Sequence, residues 1–109
     1  MISYFVRYRG TTADPANFTA RYASQHAAIL RRFPAIRSLV LHQPVDWTDP
    51  FPVNRGNTFL LAQMQFDRAA DLDAALCSPA RQAAREDFHL FPAFAGDVTH
   101  EAMRGEIIF

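Results

Sequence analysis

The chain has 109 residues, the length of one small domain, and its composition excludes several classes of protein. Half of the residues are hydrophobic and 13% are aromatic, well above the content of disordered chains. The 11 basic residues equal the 11 acidic ones in number, so the clustered positive charge that nucleic-acid binding requires is not expected. We therefore expect a single folded domain over residues 1–109.

The sequence shows no targeting or membrane signal. The start, MISYFVRYRG, lacks the basic and apolar regions of a secretory signal, and no run approaches the roughly 18 apolar residues of a membrane-spanning helix. Cys77 is the only cysteine, so it allows no disulfide within the chain, and it is predicted to be a buried, inert thiol. All basic residues are Arg and Ala is frequent, a bias typical of GC-rich bacterial genomes. These features predict a cytoplasmic bacterial protein.

Periodicity and turn residues predict the elements in chain order. Residues 2–9 alternate as a strand that Gly10 is expected to end, and Asp14-Pro15 starts a helix to about Phe33. The later predictions are a strand at 35–43, a loop at 44–57, a strand at 58–67, a helix from Asp67 or Asp71 that Ser78-Pro79 interrupts, a helical stretch from 80 to about 89, and a strand from 97 to about 104. This βαββαβ order predicts an α+β, ferredoxin-like fold, a four-stranded antiparallel sheet with both helices on one face.

The apolar pattern predicts how these elements pack. The first helix is expected to bury a stripe made of Phe18, Tyr22, Gln25 or His26, Ile29 and Phe33. The middle strands are apolar at consecutive positions, 39–41 and 59–61, and consecutive side chains point to opposite faces of a sheet. Because the helices cover only one face, a second copy of the chain is expected to cover the other. The sequence therefore predicts a homodimer, with the tail at 105–109 crossing to the partner.

A set of residues along nearly the whole chain is similar to a known family. The set comprises the Met-Ile strand start, Phe18, Tyr22 and His26 of the first helix, Phe33-Pro34 leading into a strand, the long loop, the strand end Phe66-Asp67 and the Ser78-Pro79 step. In these features the chain resembles the EthD-like family of the dimeric α+β barrel superfamily. The usual His-Ala-Pro of that family stands here as His26-Ala27-Ala28. The resemblance implies a dimeric α+β barrel with a pocket between each sheet and its helices.

His26 is the leading candidate for chemistry. It lies on the predicted buried stripe one turn beyond Tyr22, and an imidazole with a pKa near 6.5 can act as an acid or a base. The resemblance implies that it is the polar residue of the pocket, whereas its spacing alone equally fits a core histidine. The residues predicted to contact the ligand are Tyr4, Phe18, Tyr22, Met64, Phe88, Phe91, Phe94 and His100.

Several of these positions have a structural alternative. The phenylalanines at 88, 91 and 94 fit a pocket wall and a core equally well. His100 shares the apolar side of the last strand with Val98 and Ala102, but the direction of that side is not readable from the sequence. Trp47 and Phe51 in the long loop suggest a pocket mouth or a subunit contact.

Cofactor and nucleic-acid motifs are not recognisable. There is no His-x-x-x-His or Cys-x-x-Cys pair and no Gly-rich phosphate loop, so we expect no metal and no cofactor. Haem held by His26 or His100 remains an alternative, because some relatives in the superfamily bind it. The segment RGNTFL at 55–60 is similar to an RNA-recognition signature, but it lacks two aromatic residues of that signature and RNA is not an expected partner.

These features and the resemblance together imply a small-molecule binding protein. The expected ligand is a small apolar or aromatic molecule in a pathway that degrades organic compounds. The chain would act on it as a cofactor-free isomerase, cyclase or monooxygenase, with His26 moving a proton. The alternative is a non-enzymatic accessory protein that supports a partner oxygenase system, which an expected scarcity of polar pocket residues favours.

Overall fold

The computed structural model describes all residues from 1 to 109 and has the predicted βαββαβ order. Its strands are β1 (Ile2–Thr12), β2 (Ser38–His42), β3 (Thr58–Phe66) and β4 (Phe94–Arg104). They form one antiparallel sheet in the order β2-β3-β1-β4, the order of a ferredoxin-like fold. The strands β2 and β4 are therefore the two edges.

The helices connect β1 to β2 and β3 to β4. The helix α1 (Pro15–Arg21) begins at Asp14, whose side chain accepts a hydrogen bond from the backbone N–H of Asn17 at 3.1 Å. It continues through a π-helical turn and then α2, and the second connection contains α3, α4 and a 3₁₀ turn. These elements span Tyr22–His26, Ala27–Leu30, Ala69–Leu76, Pro79–Asp87 and Phe88–Leu90, respectively. None of the helices has the length and apolar character needed to cross a bilayer.

The π-helical turn decides which residues of the first helix face the sheet. Its buried residues recur at every fourth position, namely Phe18, Tyr22, His26 and Leu30. A regular helix has 3.6 residues per turn, and the wider turn accommodates the longer spacing. The predicted stripe is confirmed at Phe18, Tyr22, His26 and Phe33, but Leu30 takes the central place that it gave to Ile29, which is only half-buried, and Gln25 is exposed.

The strand β1 does not end at Gly10, and β4 begins at Phe94 rather than at residue 97. Gly10 pairs with Gly96 across the two strands, with φ angles of +150° and +146°. A Cβ atom at either glycine would lie 2.1 Å from a backbone oxygen of the opposite strand. Because neither glycine has a Cβ atom, the two backbones can approach closely at this point. The pairing of β1 with β4 therefore continues through Gly10, where the sequence predicted that β1 ends.

Two other predictions are corrected. Residues 31–37 form a connection in which Ala35 has a φ of 62°, so the helix ends before Phe33 and β2 starts after residue 35. Cys77 is exposed, because it lies in the turn between α3 and α4, and the prediction of a buried thiol is wrong.

The hydrophobic core lies between the sheet and the helices. The sheet contributes Ile2, Tyr4, Val6 and Tyr8 of β1 and Leu60, Ala62, Met64 and Phe66 of β3. Phe18 has no exposed surface and lies at the centre of an aromatic cluster. Its ring centroid is 4.8–6.2 Å from those of Tyr8, Phe59, Phe88, Phe91 and Phe94.

The opposite side of the sheet, called the outer face below, is less apolar than the sequence predicts. Alternation puts Phe5, Val40 and Leu61 on this face, beside Ser3, Arg7, Ser38, His42, Gln63 and Gln65. Phe59 does not join them, because the pairing of β1 and β3 is irregular between Tyr8 and Arg9 and its ring packs on Phe18.

Several polar side chains of the outer face are bonded to one another. Gln63 Nε2 donates to Ser3 Oγ at 3.1 Å, and Gln63 Oε1 accepts from His42 Nε2 at 3.0 Å. Ser38 Oγ donates to Gln65 Oε1 at 2.8 Å. The outer face is thus a mixed surface, with apolar side chains set among polar groups, several of which already have hydrogen-bond partners.

Large apolar side chains remain exposed in the single subunit. Most lie in the loop, in β4 and in the tail, namely Val45, Trp47, Phe51 and Val53, then Val98 and Met103, then Ile107, Ile108 and Phe109; the others are Met1, Val40 and Leu90. The subunit measures 44 × 39 × 20 Å, and its radius of gyration of 15.0 Å exceeds the value of about 13 Å for a compact domain of this length. The chain therefore has a flat, extended shape with uncovered apolar side chains.

Candidate functional site

A cavity of about 370 Å³ lies between the helix-covered side of the sheet and α4. This volume falls in the range of small-molecule sites, and a cavity of roughly 150 Å³ can hold benzene. The sheet contributes Tyr4, Val6, Tyr8, Met64, Val98 and His100 to its wall. The first helix and the turn after it contribute Tyr22, His26, Leu30 and Phe33. The cavity is thus large enough for a molecule of one or two fused rings.

The cavity brings together part of the set predicted from the sequence. Its lining includes His26, Tyr4, Tyr22, Met64, Phe88 and His100. The other three, Phe18, Phe91 and Phe94, pack in the aromatic cluster instead. Phe91 is buried and contacts the imidazole of His26, with ring centroids 5.1 Å apart. The loop residues Trp47 and Phe51 are not part of the cavity wall, and the guanidinium of Arg55 lies over the ring of Trp47 at 4.2 Å.

A buried carboxylate holds His26 in place. Only 6% of His26 and 8% of Asp87 is exposed, and the Nδ1 atom of His26 lies 2.9 Å from the Oδ2 atom of Asp87. The other oxygen of Asp87 accepts a hydrogen bond from the guanidinium of Arg21. Because Arg21 ends α1 and Asp87 ends α4, this network ties the two helices together.

The hydrogen bond to Asp87 defines the tautomer of His26. An ionised carboxylate can only accept hydrogen bonds, so Nδ1 carries the proton and Nε2 carries the lone pair. Nε2 makes no hydrogen bond within the chain. The fully buried side-chain atoms that lack a hydrogen-bond partner are Thr12 Oγ1 and Arg21 Nε. Since Nε2 of His26 also lacks a partner but is not one of them, it is not fully buried. The basic nitrogen of His26 is therefore accessible from the cavity.

Burial and charge set the protonation states of this pair. Burial lowers the pKa of His26 below 6.5, and the hydrogen bond to Asp87 offsets only part of this effect. Burial raises the pKa of Asp87, but hydrogen bonds from Arg21 and His26 outweigh it and hold that pKa below 3.8. At pH 7 Asp87 is thus ionised, and His26 is neutral and able to accept a proton.

Two tyrosines present neutral phenols beside this histidine. Burial raises the pKa of Tyr8 to about 12 and that of Tyr22 well above 10.0. The rings of Tyr22 and His26 are 4.6 Å apart. Both phenols therefore stay protonated at neutral pH and can serve as donors but not as bases.

The helix α4 adds polar groups to the cavity that the sequence reasoning missed. Its residues Arg81, Gln82, Arg85 and Glu86 line the cavity, together with His89 of the 3₁₀ turn that follows. The expected scarcity of polar pocket residues is therefore wrong. The available signal was the four-residue spacing of Arg81 and Arg85, which puts both on one helix face, but the direction of that face depends on packing.

His100 lies next to these arginines and to Tyr4. Its ring centroid is 6.0 Å from that of Tyr4. Partial burial lowers the pKa of His100, and the positive charges of Arg81 and Arg85 lower it further. His100 is therefore neutral at pH 7 and available as a hydrogen-bonding group on the sheet side of the cavity.

The structure contains no cluster of side chains suited to a metal ion. No group of three or more His, Cys, Asp or Glu side chains lies close enough to share one. Haem with a single axial ligand, His26 or His100, stays an alternative from the sequence.

The fold and the cavity define a ferredoxin-like α+β protein with a cavity between sheet and helices. No family model matches the chain. The chain is 30% identical over 87 residues to an uncharacterized 11.0 kDa protein in the thcB-thcC intergenic region of Rhodococcus erythropolis. This match covers 80% of the chain and 79% of the relative.

Solved structures share the whole fold. An EthD family protein from Bacillus halodurans has a TM-score of 0.72 at 19% identity, over 97% of this chain and all of that one. The cofactor-independent oxygenase SnoaB from Streptomyces nogalater has a TM-score of 0.64 at 16% identity, over 97% of this chain and 93% of the oxygenase. A dimeric ferredoxin-like protein of unknown function from Thermobifida fusca has a TM-score of 0.65 at 12% identity, over 94% of this chain and 88% of that one. The chain therefore belongs to the same family as the Rhodococcus protein, and it has the EthD-like, ferredoxin-like fold that its sequence pattern implied.

Proposed function

We propose that the protein is a cytoplasmic homodimer that binds a small aromatic or apolar molecule in this cavity and takes part in the degradation of organic compounds. The observation that carries the proposal is the His26–Asp87 pair, in which the free Nε2 atom of His26 is accessible from the cavity. The apolar groups around it suit a ring, and the lone pair suits a proton-transfer role.

The proposed chemistry is cofactor-free. His26 takes a proton from a carbon next to a carbonyl, or from a ring hydroxyl, and Asp87 stabilises the resulting imidazolium. Return of that proton to another carbon of the substrate is an isomerase reaction, and ring closure before its return is a cyclase reaction. In a monooxygenase the deprotonated substrate supplies the electrons that reduce O₂. The fold shared with SnoaB, described as a cofactor-independent oxygenase, supports this last option.

The proposal is tested with His26→Gln, which keeps a polar side chain but removes the basic nitrogen. We expect 2-naphthol to bind the natural protein and to bind the variant about tenfold more weakly, the loss of roughly one hydrogen bond. Isothermal titration calorimetry at pH 7.5 measures both affinities. The matched control is His42→Gln, because His42 lies on the outer face and bonds to Gln63. Equal binding by a folded His26→Gln variant removes His26 from the site.

The second candidate function is that of a non-enzymatic accessory protein. The location of the Rhodococcus relative between thcB and thcC favours it, because a small protein encoded among other genes of a cluster often supports their products. Oxygen uptake distinguishes the monooxygenase reaction from the accessory function. Uptake by the purified protein with dihydroxynaphthalenes, lost in His26→Gln, indicates an enzyme. No uptake by the protein alone, with faster turnover by a partner oxygenase, indicates an accessory protein.

The dimer is proposed from the uncovered surfaces. The outer face carries apolar side chains among polar ones, and the polar groups that are already bonded to one another can be buried without being left unpaired. The exposed side chains of the tail, Ile107, Ile108 and Phe109, suit a contact with the partner. The dimeric protein from Thermobifida fusca, which shares the fold, supports the same assembly.

The dimer is tested with Leu61→Arg, which puts a charge in the middle of the outer face. We expect the natural protein to sediment as a dimer and the variant as a monomer, because an unpaired charge at a buried interface is costly. Analytical ultracentrifugation at micromolar concentration measures the mass. Ala74→Arg, on the exposed side of α3, is the control and should remain dimeric. A natural protein that is monomeric at this concentration contradicts the proposal.

A further inference from the structure

Two arginines at the cavity have no partner within the chain. Arg81 and Arg85 both line the cavity from α4, one turn apart. The ion pairs of the chain use Arg21, Arg37 and Arg68 instead. Neither Arg81 nor Arg85 donates a side-chain hydrogen bond, so their guanidinium groups are free to bind a ligand.

The positive charge at this wall is not balanced locally. Glu86 is the one acidic residue of the lining, and its carboxylate accepts a hydrogen bond from Gln82 at 3.2 Å. Asp87, the next acid along α4, is committed to Arg21 and His26. The whole chain has a formal net charge of zero, so the excess of cationic groups is a local feature of the cavity.

The sheet and the first helix present apolar side chains to the same cavity, namely Val6, Met64, Val98 and Leu30. The two arginines also lie close enough to His100 on β4 for their charges to lower its pKa. The cavity thus combines apolar side chains that suit a hydrocarbon ring with cationic groups that suit an anion.

We propose that the cavity binds a ring-bearing carboxylate, with the carboxylate held by Arg81 and Arg85 and the ring lying against the sheet. The inference rests on the ligand cavity of the proposed function and names its substrate class. A guanidinium group forms paired hydrogen bonds with a carboxylate, and such charge-assisted bonds are about twice as strong as neutral ones. A ligand anchored by its charge at α4 also has a fixed orientation relative to His26, across the same cavity.

The test compares two probes of nearly the same shape, 2-naphthoate and the neutral 2-naphthamide. Calorimetry of the full-length protein at pH 7.5 should show that naphthoate binds about tenfold more tightly. In the double variant Arg81→Gln/Arg85→Gln the preference should disappear, because naphthoate affinity falls about tenfold and naphthamide affinity stays the same. Higher salt should weaken naphthoate binding in the natural protein only.

The control is the double variant Arg31→Gln/Arg32→Gln, which removes two exposed arginines after the first helix and should keep the preference. Circular dichroism establishes that each variant is folded. If both probes bind the natural protein equally, or if the Arg81 and Arg85 variant retains the preference, this inference is overturned and the proposed function stands. If neither probe binds the natural protein, the proposed function fails and the inference fails with it.

Discussion

An Asp87→Asn variant is expected to unfold with a free energy about 1–3 kcal/mol below that of the natural protein and to have a His26 pKa that is lower still. The carboxylate accepts hydrogen bonds from both Arg21 and His26, and an amide carries no charge to stabilise either of them. Chemical denaturation measures the free energy. The pKa is followed by NMR of the imidazole. An unchanged His26 pKa would show that Asp87 does not act on this histidine.

The same substitution alters the response to acid. The folded-state pKa values of His26 and Asp87 both lie below their ordinary values of 6.5 and 3.8, so each group stabilises the fold above its ordinary pKa. That stabilisation is lost as the pH falls through the folded-state values. In the natural protein the loss begins near pH 6.5 with His26, and Asp87 adds to it below pH 3.8. In Asp87→Asn the His26 contribution declines over a wider range, because its folded-state pKa is lower.

Asp73→Asn is the matched control for this experiment. Asp73 lies on the exposed side of α3 and makes no ion pair within the chain. Its replacement should change the free energy of unfolding by less than about 0.5 kcal/mol and should leave the His26 titration where it is. Both variants lose one negative charge, so the difference between their free energies of unfolding measures the effect of burying the carboxylate of Asp87.

A Phe18→Ala variant is expected to lose about 3–5 kcal/mol of unfolding free energy, the largest effect of any single substitution considered. Phe18 is fully buried, and its ring centroid lies 4.8–5.5 Å from those of Tyr8 on β1, Phe59 on β3 and Phe91 after the 3₁₀ turn. Alanine would leave a cavity that the surrounding rings, which also contact one another, cannot fill without breaking those contacts. Urea denaturation at one fixed protein concentration measures the loss, since a dimer would make the result concentration-dependent.

The control for this substitution is Phe51→Ala. Phe51 has 73% of its surface exposed in the long loop, so truncating its side chain should cost little in the isolated subunit. A similar loss in both variants would mean that the aromatic cluster around Phe18 is not the centre of stability. A Phe18→Leu variant should recover a large part of the loss, because it restores most of the buried volume.

Much of the fold follows from local signals in the sequence. Asp14-Pro15 predicted the start of the first helix, and the alternation at 2–8 predicted which residues of β1 enter the core. The predicted order of strands and helices was sufficient to predict the topology of the sheet. These predictions succeed because a helix cap, a proline or an alternating pattern determines the conformation of residues only a few positions away in the sequence.

The errors have a different origin, since they depend on residues that are distant in sequence. From the sequence, Gly10 predicts a strand end, and only the position of Gly96 opposite it on β4 explains why the strand continues. The pair of His26 with Asp87 joins residues 61 positions apart, and no spacing rule can indicate it. The orientation of Arg81 and Arg85 toward the cavity depends likewise on how α4 packs on the sheet.

The π-helical turn at Tyr22–His26 has a consequence for how this helix can change. In a regular α-helix each four-residue step overshoots a full turn by about 40°, so the three steps from Phe18 to Leu30 would accumulate about 120°. The wide turn absorbs this angle, and it lies in the segment that contains His26. Losing one residue there would leave a regular helix, in which the eleven steps from Phe18 to Leu30 turn through about 1,100°, only about 20° past three full turns, so Leu30 would still face the sheet. The segment that contains His26 can thus change in length by one residue while the helix keeps the same side toward the core.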